Sequence, residues 1–173
     1  MTIMQYQGYE INGYTFYTRA QDEKSTNQNS GVRIDAIGND ENKDSYFGVI
    51  EEIWELEYGP LMIFLFQCQW VNRAGGGIMI DRYGMTIVDF KKIGYKDEPF
   101  VLAKDVAQVF YVKDMSSKPR KNPVHSDDEP KCHIVLPGNE KSLELRIFRT
   151  SQKTLISLMT ALRSRLMLTQ ASC

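Results

Sequence analysis

From Leu61 to Val71 the chain alternates in steps of two. Phe64, Phe66, Cys68 and Trp70 fall on one side of an extended segment, with Gln67 and Gln69 on the other. That spacing predicts a strand with one buried face, and its aromatic content suits a strand. Residues 46–58 alternate less regularly around Val49, Ile53, Trp54 and Leu56, until Gly59-Pro60 breaks the run. Short strands are predicted at Ile78–Ile80 and Met85–Phe90 around a DRYG turn, and at 106–112, where VAQVFYV closes the array. A short irregular or single-turn stretch precedes it at Ala103–Asp105. Residues 72–77 and 94–99 read as loops.

Outside this block the pattern changes. Residues 9–18, YEINGYTFYT, predict a pair of short strands joined at Asn12-Gly13, a strong hairpin signal. Residues 20–45 are polar and read as a long loop in which GVRIDAI (31–37) is a candidate strand. Residues 115–131 hold three of the six prolines and almost nothing apolar, so they read as a linker. HIVL (133–136) and LELRIF (143–148) flank PGNEKS and predict a second hairpin. One helix follows, capped by Thr150 or Ser151, with Leu155, Leu158, Met159, Leu162 and Leu166 on a single stripe. Arg163 and Arg165 near its end suit the negative pole of the helix dipole.

Four segments result: a hairpin and polar loop (1–45), a β-barrel core (46–114), a linker (115–131), and a hairpin plus amphipathic helix packing on the core (132–170). The fold class expected is mainly β with a C-terminal helix. Strands this short, with turns this frequent, suit a small barrel or curled sheet, and not a parallel α/β fold. The strand order resembles the core of an SH3-like or bromo-adjacent-homology barrel.

Charge adds an asymmetry. Residues 1–130 hold 14 Lys/Arg against 20 Asp/Glu, a net of −6, and residues 131–173 hold 7 against 2, a net of +5. The basic end is suited either to a polyanion or to the chain's own acidic body. Cys68, Cys132 and Cys173 are an odd number at wide spacing, which argues against a secreted disulfide scaffold. MTIMQYQGYEINGY lacks the basic and apolar regions of a secretory signal, and Leu61–Phe66 is too short to span a bilayer. An intracellular chain, nuclear or cytoplasmic, is the expectation.

The chemistry-bearing residues do not assemble into a catalytic signature. His125, Cys132 and His133 lack the paired spacing of a zinc site, and neighbours on a strand point to opposite faces. Gly75-Gly76-Gly77 precedes strand-like sequence, so a hairpin turn fits it better than a phosphate cradle. Regular alternation would put Glu51, Glu55 and Glu57 on one solvated face, with Glu52 opposite. No serine or cysteine carries a nucleophile motif. The expectation is a non-enzymatic chain with no cofactor and no metal.

Two candidate surfaces remain. Arg146, Arg149, Lys153, Arg163 and Arg165 form a basic set for a nucleic-acid backbone. Lys118-Pro119-Arg120-Lys121 is a shorter basic cluster beside acidic residues. Trp54, flanked by glutamates, is the aromatic expected to be exposed. With the helix stripe Leu155, Leu158, Met159, Leu162 and Leu166 it forms the candidate partner-binding set. The other large aromatics are expected in the core.

Several phrases occur together in order: NGYTFYT (12–18), TNQNSGV (26–32), YFGVIEEIWELEY (46–58), FQCQWV (66–71), DRYGMTIVDF (81–90) and YKDEPFVLAKDVAQVFYVKD (95–114). Over residues 9–114 the chain resembles a domain of unknown function found in plant CACTA (En/Spm-type) transposon proteins. The resemblance implies an accessory region downstream of a transposase core. Asn72 stands where that family usually has aspartate, and the section from Lys131 departs from its usual continuation. A domesticated fragment without the transposase domain is what it implies. The function expected is a transposon-derived interaction module, contacting a protein partner or a second copy of itself. The alternative is a DNA- or chromatin-binding accessory domain.

Overall fold

The structure, a computed structural model, describes residues 2–37, 43–113 and 132–138. The chain divides into two units, residues 1–139 and 140–173. Everything the sequence places at 140–173, including the LELRIF arm, the helix and both basic and apolar site sets on them, lies outside the described residues. So does the linker up to residue 131.

The described part is mainly β. Its strands are β1 (Thr2–Tyr6), β2 (Gly8–Ile11), β3 (Tyr14–Tyr17), β4 (Gly31–Ile37), β5 (Lys43–Tyr58) and β6 (Leu61–Val71). They continue as β7 (Ile78–Ile80), β8 (Thr86–Val88), β9 (Ile93–Gly94), β10 (Phe100–Leu102), β11 (Ala107–Lys113) and β12 (His133–Pro137). A four-residue helix, α1 (Arg19–Asp22), follows β3, and a 3-10 turn at Ala103–Asp105 precedes β11. Among the described residues no helix is long and apolar enough to cross a membrane.

Ten strands form one curled antiparallel sheet in the order β10-β6-β5-β4-β11-β12-β8-β7, with β1 beside β5 and β9 beside β6. The hairpin β2-β3 stands apart as its own two-stranded sheet. It turns at Asn12 and Gly13, whose φ angles of 55° and 78° are the left-handed pair that a two-residue hairpin turn requires.

Each face of the curled sheet carries a core. Hydrogen-bonded neighbours share a face, so the pairs Ile53↔Phe66 and Ile50↔Cys68 define the first. There Ile50, Ile53, Phe66, Cys68 and Trp70 pack with Val32, Ala103 and Val106, and Phe16 of the β2-β3 hairpin joins them. The opposite face buries Phe47, Val49, Val71, Val88, Val109 and Tyr111. Leu56 and Leu65 are buried farther along that second face.

Three features differ from the sequence expectation. First, residues 20–45 are not one long loop: α1 and the start of β5 occupy part of it, and the candidate strand GVRIDAI is β4. Val32 and Ile34 turn into the first core while Arg33 and Asp35 alternate with them. Second, β12 belongs to the main sheet, between β11 and β8, so β11 does not close the array. Third, a bulge interrupts β5 between Ile50 and Glu52. Ile50 and Ile53 consequently share a face although they are three residues apart, which regular alternation forbids. The same bulge splits the expected solvated face of Glu51, Glu55 and Glu57, of which Glu57 is exposed and Glu55 is buried. Glu51 is the extra residue, and Glu55 follows Ile53 onto the core face, opposite Phe64.

Candidate functional site

Strand β1 pairs with β5 along one side, in the register Thr2↔Glu57, Met4↔Glu55 and Tyr6↔Ile53. All five of its residues are exposed. Among the described residues it has no other strand partner, so half of its backbone hydrogen-bonding groups point outward from the described sheet. TIMQY contains no charge and no proline, the devices by which natural edges discourage pairing. Ile3, Met4 and Tyr6 are exposed along it, and Leu61 and Met62 are exposed at the start of β6.

Behind this edge sits Glu55. It retains only 5% of its accessible surface. Its Oε2 accepts a hydrogen bond of 2.7 Å from the Tyr6 hydroxyl. Tyr9, reaching over from β2, stacks on Phe64 with ring centroids 4.1 Å apart and planes 20° from parallel. Two phenols record the carboxylate's presence. The Tyr6 hydroxyl is pushed above the ordinary tyrosine range, first by its hydrogen bond to Glu55. Tyr9 is pushed up by burial and then by the Glu55 charge. Met4 lies directly across the ladder on the same face, as does Met62 opposite Glu57. Among the described residues no cation pairs with Glu55 or Glu57; the ion pairs there join Arg19 to Glu51, Arg33 to Asp35 and Arg73 to Asp44.

Trp54 lies on the other face. Its ring packs against Phe100 at 5.2 Å, and its Nε1 donates to Glu52 Oε2 at 2.7 Å. It is half-buried, not the exposed aromatic that its flanking glutamates suggest. The other members of the partner-binding set, Leu155, Leu158, Met159, Leu162 and Leu166, lie outside the described residues. The same holds for Arg146, Arg149, Lys153, Arg163 and Arg165. Nothing in the sequence singled out β1 or the burial of Glu55. The one available signal was the uncharged TIMQY segment ahead of the Asn12-Gly13 hairpin.

The remaining candidates resolve into local structure. The glycine turn is closed by Asn72, whose Oδ1 accepts from Gly75 N at 2.9 Å and whose backbone carbonyl accepts from Gly77 N. Lys92 Nζ donates to the Gly76 carbonyl at 3.1 Å. Such a turn needs an acceptor oxygen at position 72, which aspartate would supply as well as asparagine. His133 sits edge-on to Phe90 at 5.4 Å, in the strand between β11 and β8. Among the described residues no three metal-ligating side chains cluster. Cys68 is fully enclosed, and burial first, then the Glu51 charge, raises its thiol well above the usual range. A thiol so held is a poor nucleophile.

Residues 54–122 match the family described as "Domain of unknown function (DUF4216)". No curated protein and no solved structure matches the chain. The DUF4216 match opens midway along β5, at Trp54, and runs past β11. It leaves out β1 to β4 and β12, all of which pair into or pack against the same sheet. Glu55 lies inside the DUF4216 segment, whereas Met4, Tyr6 and Tyr9 lie outside it.

Proposed function

We propose that this chain is a non-enzymatic interaction module that takes an extended segment of a protein partner onto the free edge of β1. The observation that carries the reading is the edge itself: five exposed, uncharged, proline-free residues that, among the described residues, pair on one side only. Strand addition supplies affinity through main-chain hydrogen bonds, and alternate side chains supply selectivity. A second copy of the chain is the other occupant the edge accepts.

The experiment replaces Ile3 and Gln5 with lysine, which charges the edge without altering the core. In parallel, a photo-crosslinking amino acid is placed at position 5, with exposed Lys91 as the control site. The expected result is an adduct specific to position 5, competed by added unlabelled chain but not by the lysine variant. Equal labelling from both positions would sink the reading. Sedimentation of the full chain distinguishes self-pairing, which would give a dimer that the lysine variant loses.

The ordered phrases across 9–114 support a transposon-derived origin of CACTA type, and the curled sheet supports an SH3-like or bromo-adjacent-homology barrel. A nuclear site of action fits that origin. The net charge of +5 over residues 131–173 favours a second reading, contact with DNA or chromatin through Arg146, Arg149, Lys153, Arg163 and Arg165. Its test is charge reversal at Arg146, Arg149, Arg163 and Arg165: DNA affinity that survives the change excludes this surface.

A further inference from the structure

Glu55 is a buried carboxylate that has no counter-ion among the described residues. Carboxylates are almost never fully buried unless paired, because desolvation disfavours the charged form. Glu55 keeps 5% of its exposure, accepts one hydrogen bond from Tyr6, and has no cation among the described residues. Its surroundings are not those of a sealed core. Tyr6 is 37% exposed, Met4 42% and Met62 59%. Glu57 lies two residues along on the same face, exposed, and also unpaired among the described residues. Glu55 thus has the Tyr6, Tyr9 and Phe64 rings around it, and the exposed thioethers of Met4 and Met62 alongside.

Those are the elements that bind an organic cation. Aromatic faces attract ammonium groups, and a carboxylate in a poorly solvated setting attracts them more strongly than one in water. A phosphate or carboxylate ligand would be repelled by Glu55. Reach also fits. A segment added outside β1 lies two strand spacings from β5, about 10 Å. Its side chains on the first face would project over Met4, which stands directly across from Glu55. A lysine there can extend over Met4 to the carboxylate.

We propose that Glu55, flanked by Tyr6, Tyr9 and Phe64, receives the ammonium group of a lysine carried by the partner segment that docks on β1. This rests on the strand-docking reading and names the side chain by which that edge selects its partner. The bound lysine would neutralise the carboxylate and leave the Tyr6 hydroxyl in place. Glu57 would hold the approach to the site at negative potential.

The test uses the full chain and four synthetic eight-residue peptides of uncharged, strand-forming sequence. They differ only at one central position, which is lysine, trimethyl-lysine, arginine or glutamine. Binding is followed by fluorescence anisotropy and by the tyrosine ring resonances. The lysine peptide is expected to bind at least about tenfold more tightly than the glutamine peptide, a difference of ~1.4 kcal/mol. In Glu55→Gln that preference should fall to within about twofold. Met4→Lys gives an independent check at an exposed position. It supplies a cation from within the chain, and should raise thermal stability and erase the lysine preference. The trimethyl-lysine and arginine arms set which cation is preferred; binding of either in place of lysine, tighter than glutamine and dependent on Glu55, overturns lysine as the occupant. Equal binding of lysine and glutamine peptides to the unaltered chain overturns the cation site and leaves strand docking standing. A lysine preference that survives both Glu55→Gln and Met4→Lys overturns Glu55 as its seat. No binding of any peptide at millimolar concentration overturns both readings.

Discussion

Tyr111 ties three strands together with one side chain. It rises from β11 into the second core, where its ring meets Phe90 edge-on at 4.7 Å. Its hydroxyl donates to the Gly48 carbonyl on β5 at 2.8 Å and lies 3.3 Å from the Val32 carbonyl on β4. Burial drives its proton affinity far above the ordinary tyrosine range, the neighbouring Cys68 adds to this, and the Gly48 contact opposes it. Removing the hydroxyl leaves buried carbonyls without that donor while keeping the ring. Tyr111→Phe is therefore expected to cost about 1–3 kcal/mol, read as a lower urea midpoint with an unchanged slope. A loss smaller than about 0.5 kcal/mol would mean that the tie contributes nothing beyond packing.

At the scale of elements, close approach of backbones matters as much as side chains. A Cβ added to Gly31 of β4 would collide with the Val109 carbonyl of β11 and come within 2.9 Å of the Tyr111 ring. Backbone cannot yield as a flexible side chain does. Gly31→Ala is thus expected to destabilise by about 1–3 kcal/mol or more, and to speed amide exchange along the β4-β11 pairing first. Equal exchange throughout would place the strain elsewhere.

The same scale explains what could be read in advance. The β2-β3 hairpin was legible because Asn12-Gly13 encodes a turn chemistry of its own. β6 was legible because one of its faces is apolar without interruption from Phe64 to Trp70. β1 was not, because an exposed edge strand buries nothing and so imposes no alternation on its residues. The place of β12 beside β11 was not legible because HIVL looks the same whichever strand it joins. Pairing partners far away in sequence leave no local mark. Glu55 was missed for a third reason: it alternates in step with apolar Ile53, but a glutamate reads as solvent-facing, and nothing local in the sequence shows that it accepts from Tyr6 of a distant strand.

For the molecule as a whole, the buried acids that titrate at high pH set the response to alkali. The Cys68 thiol and the Tyr111 phenol are both held above their ordinary values, 9.0 and 10.0, in the folded state. The unfolded chain therefore releases these protons first. Stability is fully present below pH 9 and falls as pH rises beyond it, since the folded state binds more protons. The expected observation is a flat urea midpoint from pH 7 to about 8.5 and a decline above. Cys68→Ala should delay the onset toward the tyrosine range. A midpoint that is level to pH 11 in the unaltered chain would contradict the burial of both groups.

The doubled glutamate at Glu51-Glu52 has a consequence for how this chain can change length. In a sixteen-residue strand that serves two cores, losing or gaining a residue at almost any point would send every later side chain to the wrong side. At the bulge the opposite holds. The pairs Ile50↔Cys68 and Glu52↔Gln67 are already consecutive on β6, so one glutamate can be lost while Ile53, Glu55 and Leu56 keep their sides. What such a loss would remove is the bend, together with the Arg19–Glu51 contact that holds α1 against the strand. Glu51-Glu52 is thus the place within β5 where homologous chains can differ by one residue and still build the same two cores.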